Sequence, residues 1–78
     1  MPFYLFYWTD QNLEHIEQHG ITQEEFEEVV SSPDENDVSR TSGRPVAIGQ
    51  TSTGKYIICV YEMLDDTTVF PITAYELD

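Results

Sequence analysis

The stretch KYIICVYEML, residues 55–64, is a nearly continuous apolar run. It is rich in β-branched and aromatic residues, holds no glycine or proline, and falls well short of the roughly 20 residues a membrane helix needs. Such a run is a strand with apolar side chains on both faces. It predicts the central strand of a sheet, covered on both sides.

The flanking segments supply its neighbours. VAIGQT (residues 46–51) is a second strand, joined to the central one by the hairpin loop STG (52–54). Asp65 and Asp66 turn the chain, and TTVFPITAY (67–75) returns as another strand. Pro71 has no N–H to donate, so this strand lies at an edge or carries a bulge there. DVSRT (37–41), followed by the turn SGRP (42–45), is a shorter strand, and FYLFYW (3–8) is the first.

Two helices separate that first strand from the rest. Thr9 or Asp10 caps a helix running to about residue 19, with Leu13 and Ile16 on one face and Gly20 closing it. Thr22 and Glu25 form a T-x-x-E capping box, and Ile21 and Phe26 have the spacing of a hydrophobic staple. Phe26, Val29 and Val30 give the second helix its inward face, and Pro33 ends it. The order is β-α-α-β-β-β-β. The predicted fold is one α+β domain over residues 1–78, with two helices packed on one face of a small antiparallel sheet.

Charge narrows the function. Fifteen acidic side chains face three cations, Arg40, Arg44 and Lys55, for a net charge of −12. Proteins that grip nucleic acid commonly do so through about 6–10 Lys/Arg contacts to phosphate. This surface disfavours nucleic acid and anionic membranes and points to a basic protein partner. The same acidity would also serve solubility or life in a salty cytoplasm. Cys59 is the sole cysteine, which excludes an internal disulfide and suits a reducing, cytoplasmic setting. The opening MPFYLFYWTD has neither the basic start nor the cleavage site of a signal peptide and reads as structure.

Several local patterns approach known chemistry. His15 and His19 share a helix face, but HIEQH lacks the glutamate beside the first histidine that H-E-x-x-H requires. DENDVS (34–39) begins like a calcium loop and then has Val38 where an oxygen ligand is needed. GQTSTGK (49–55) has the glycine and lysine spacing of a phosphate loop, with Tyr56 where Ser or Thr must hold magnesium. The histidine pair is therefore a helix end and GQTSTGK a hairpin, and no metal or cofactor is expected. Cys59 is expected as a small buried hydrophobe. Tyr75, Glu62 and Glu76 lie near strand ends, where acid–base work is chemically open to them.

WTDQNLEHIEQHGITQEEFEEVVSSP, then GRPVAIGQTSTGKYIICVYE, then ITAYEL together resemble the BrnT family of toxins, within the broader RelE/ParE-like group. The anchors are Asn12, His19-Gly20, Glu24-Glu25, Arg44, Gly49, Gly54-Lys55 and Thr73-Ala74, and the likeness covers about residues 7–77. It implies a compact ribonuclease-like toxin fold that cuts RNA and is neutralised by a partner antitoxin. Within it, Glu25 would be the catalytic carboxylate, Arg44 the phosphate-facing cation and Tyr75 a general acid or base. The departures bear on activity. Gln18 replaces the family's lysine before His-Gly, Tyr75 replaces the closing arginine, and Phe70 stands at another basic position. Cations hold phosphate and stabilise its developing charge, so their loss weakens the case for catalysis. Two expectations result: a divergent toxin-fold ribonuclease whose activity is reduced or lost, or a non-catalytic acidic module that binds a basic protein, even as a mimic of nucleic acid.

Overall fold

The structure, a computed structural model, describes residues 4–77. Phe3, the predicted start of the first strand, lies outside them. The elements are β1 (Leu5–Phe6), α1 (Asp10–Gln18), α2 (Gln23–Ser31), β2 (Glu35–Val38), β3 (Pro45–Gln50), β4 (Tyr56–Met63) and β5 (Thr68–Glu76). They form an α+β domain with one five-stranded sheet in the order β1-β5-β4-β3-β2. The apolar run is β4, at the centre.

Both helices begin as their caps dictate. The Thr9 hydroxyl accepts from the Asn12 N–H at 3.1 Å, and Thr22 and Glu25 close a reciprocal capping box. Gly20, at φ 77°, makes the left-handed turn between the helices. Ile16, Ile21, Phe26, Val29 and Val30 face the sheet and meet Ala47, Ile57, Cys59, Val69 and Ala74. Phe6 and Trp8 set their rings edge-on to Phe26. Gly49 permits a close approach: a Cβ there would lie 3.3 Å from the Asp34 nitrogen and 3.4 Å from Val29 Cγ1.

Three expectations are corrected. The sheet is mixed, because β1 runs parallel to β5 while the other pairs are antiparallel. The two helices return the chain to the far edge, and the meander from there brings β5 alongside β1 in the same direction. The strand expected at 37–41 lies at Glu35–Val38, because the Ser39 N–H donates to the Arg44 carbonyl and opens the turn earlier. The cover predicted for both faces of β4 exists on one only. Ile57 and Cys59 are buried beneath the helices, whereas Ile58 and Val60 are half-buried on a face that no helix or strand among the described residues covers.

Pro71 lies at a bulge. Tyr61 pairs with Pro71 and Val60 with Thr73, so Ile72 is an extra residue in β5. The extra residue resets the alternation of side chains. Val69, Pro71 and Ala74 are buried on the helix side, and Phe70, Thr73 and Tyr75 lie on the other. β1 pairs only with Thr68 and Val69, and beyond it the Asn12 side-chain amide donates to the Pro71 carbonyl. In the β4–β5 turn, Asp65 accepts from the backbone and hydroxyls of Thr67 and Thr68. These bonds, led by the Thr67 N–H, hold its carboxyl below the usual carboxylate range.

Candidate functional site

Glu25 is 6% exposed although it lies in the first turn of α2. Its Oε1 accepts from the Thr22 N–H at 2.9 Å and from Lys55 Nζ at 3.1 Å, and its Oε2 accepts from the Thr53 hydroxyl at 2.6 Å. Burial by itself pushes this carboxyl up. The bonds from Thr53, Thr22 and Lys55 outweigh that and bring it down to about 2. Lys55 Nζ also donates to the Gly20 carbonyl at 2.6 Å. One turn further along α2, Glu28 accepts from the Ser52 N–H at 2.9 Å and from its hydroxyl at 3.3 Å. The helix thus grips the β3–β4 loop through two carboxylates.

A groove of about 410 Å³ runs between Thr22, Glu24 and Glu28 of the helix and Ser52, Thr53 and Lys55 of the loop. Its chemistry is that of a dock. A carboxylate with a pKa near 2 is a poor proton acceptor at neutral pH. The loop with phosphate-loop spacing turns its amides to protein acceptors: Ser52 to Glu28, Gly54 to the Thr51 carbonyl and Lys55 to the Thr51 hydroxyl. A phosphate placed there would meet Glu25 and Glu28 before any free cation.

Arg44 and Tyr75 lie elsewhere. Tyr75 pairs with Ile58 and is 43% exposed on the face away from the helices. Arg44 precedes β3, and alternation through Val46 places it on that same face, level with Glu62. Ile58 and Glu62 are four residues apart on β4, so Arg44 and Tyr75 are separated by about 13 Å along the strands. Glu25 is on the opposite side of the sheet. The structure brings Glu25 to Lys55 and does not bring Glu25, Arg44 and Tyr75 together. Arg44 Nε is buried without an acceptor.

The other candidates are also placed. The exposed His15 and His19 rings stand 5.4 Å apart at the end of α1, and no group of three or more metal-binding side chains occurs among the described residues. The calcium-like segment contributes strand β2. Cys59 is buried, and burial pushes its thiol up to about 12. Glu62 and Glu76 are exposed.

The residues that sequence reasoning missed form the uncovered sheet face. Register places Leu5, Tyr7, Ile48, Ile58, Val60 and Phe70 there, beside the predicted Tyr75. Leu5 and Tyr7 are each 56% exposed, and the Tyr7 and Phe70 rings lie 6.0 Å apart. Val46 is buried on this side and takes no part in the helix-side core. The signal was present in the apolar residues at both parities of β4, which require two covers. No protein-family model, characterised protein or solved structure matches the chain.

Proposed function

We propose that this domain is a non-catalytic binding module, a divergent BrnT-like toxin scaffold whose target is a basic protein. One observation carries the reading: the residues that would cut RNA do not converge. Glu25 is held by Thr22, Thr53 and Lys55 on one side of the sheet, while Arg44 and Tyr75 lie on the other. Of the three cations, Lys55 is paired with Glu25, and the two arginines stand in or beside a single turn. Against them stands a net charge of −12. A polyphosphate chain is repelled by that field, and a basic protein is drawn in by it.

The test pairs two assays on the folded domain. Incubation with labelled RNA across a range of ionic strength should give neither cleavage nor tight binding. Capture from the lysate of its source at low salt, followed by identification, should return a basic protein released by added salt. RNA cleavage that disappears in Arg44→Ala would overturn the reading and restore the ribonuclease.

A further inference from the structure

The uncovered sheet face has the make-up of an interior layer. Antiparallel sheets that face water commonly alternate apolar and polar residues, yet here Leu5, Ile58, Val60, Phe70 and Tyr75, with Tyr7 just beyond β1, lie on the outward face, broken by Thr68, Thr73 and Glu62. A contiguous apolar patch rimmed by polar groups marks an interaction surface. The rim is acidic. Glu35 pairs with Ile48 and Asp37 with Val46, which puts both carboxylates on the open face along the β2 edge. Glu62 joins them from β4, opposite Phe70. Arg44 is the cation that strand register places on that face.

We infer that this face binds an amphipathic helix of a basic partner. The helix would seat its apolar side on Tyr7, Ile58, Val60, Phe70 and Tyr75 and extend Lys or Arg side chains to Glu35, Asp37 and Glu62. The inference rests on the binding-module reading and adds to it the surface and the form of the ligand. Charge selects the occupant. A second copy would bring another −12 against the same acidic rim, and anionic lipid is repelled in the same way. Size agrees: five strands at about 4.8 Å spacing make a face roughly 20 Å wide, which a helix of about 12–14 residues spans. The bound domain would be a three-layer sandwich, helix pair, sheet and partner helix, with β4 covered on both sides.

The test uses two synthetic peptides of about 14 residues and identical charge, one with Leu and Lys at helical spacing and one with Ser in place of each Leu. The intact domain should bind the Leu/Lys peptide at least about tenfold more tightly, a difference of roughly 1.4 kcal/mol. The double variant Tyr7→Ser, Tyr75→Ser should lose that advantage. Both side chains are more than 40% exposed, and circular dichroism verifies that the fold is kept. The double variant Glu14→Gln, Glu17→Gln removes two charges from α1 and should bind within about twofold of the parent. Equal affinity for both peptides, or unaltered binding by the tyrosine variant, would overturn the face while leaving a basic partner in place. Binding of neither peptide would overturn both readings. A dimer of the free domain that dissociates in the tyrosine variant would give the face to a second copy and overturn the helix.

Discussion

Lys55 Nζ lies 3.1 Å from Glu25 Oε1 and joins the hairpin loop of the sheet to the start of α2. Glu25 also closes the capping box, so one carboxylate holds a helix end, a loop and a lysine. Its removal should act on stability. Glu25→Ala should destabilise the domain by about 1–3 kcal/mol, and Thr22→Ala, which loses only the cap, by about 1 kcal/mol. Urea unfolding of the two variants checks the order.

The same carboxylate makes stability depend on pH. Its folded pKa, about 2, lies below the ordinary value of 4.5. Its contribution is therefore complete above about pH 4.5 and is lost as pH falls towards 2. Acidification also relieves repulsion among the other carboxylates, which works in the opposite direction. The difference between the parent and Glu25→Gln isolates the group. That difference should shrink by about 1–2 kcal/mol between pH 6 and pH 3, after allowance for screening at the partly exposed Lys55.

Gly49→Ala should destabilise through crowding. The added methyl meets the Asp34 nitrogen and Val29 where α2 leaves the sheet. Both neighbours belong to packed backbone or core, so a loss of about 1–3 kcal/mol is expected. Gly54→Ala has open space around it and only the strain of φ 94°, so its loss should be nearer 1 kcal/mol. Thermal melts of the two variants separate crowding from strain.

Asn12→Ala should loosen α1 from β5. The amide of Asn12 satisfies the Pro71 carbonyl at the bulge, beyond the end of β1. Losing that donor should cost about 1–2 kcal/mol. Hydrogen exchange should report the loss first in α1 and the middle of β5.

Cys59 should be silent towards thiol reagents in the folded state. Its thiol is buried and pushed up to about 12, so almost no thiolate exists at neutral pH. Ellman's reagent should react only at the rate of unfolding and accelerate with urea. Rapid reaction of the native domain would show an opening that reaches the helix–sheet core.

Much of the fold was legible because local chemistry coincides with tertiary packing. The capping box at Thr22 and Glu25, the turn at Gly20 and the apolar run of β4 each forced one structure. The parallel β1–β5 pair was not legible, because a strand of two residues, Leu5 and Phe6, carries no sign of direction. Pro71 announced a bulge or an edge, and the structure has the bulge. The site was less legible. Glu25 was readable both as a cap and as a family carboxylate, and only the loop carrying Thr53 and Lys55 reveals how its oxygens are engaged. The open face required knowing which strand positions share a side, which the bulge conceals.

That bulge fixes the character of both surfaces. Ile72 shifts the frame so that Ala74 fits beneath the helices and Tyr75 emerges opposite them. Excising Ile72 would close the bulge and let β5 pair with β4 residue for residue, keeping Thr73 opposite Val60 and Ala74 opposite Cys59. A one-residue deletion here would therefore leave the methyl inside and the phenol outside, whereas a ladder closed with Ile72 retained would exchange them.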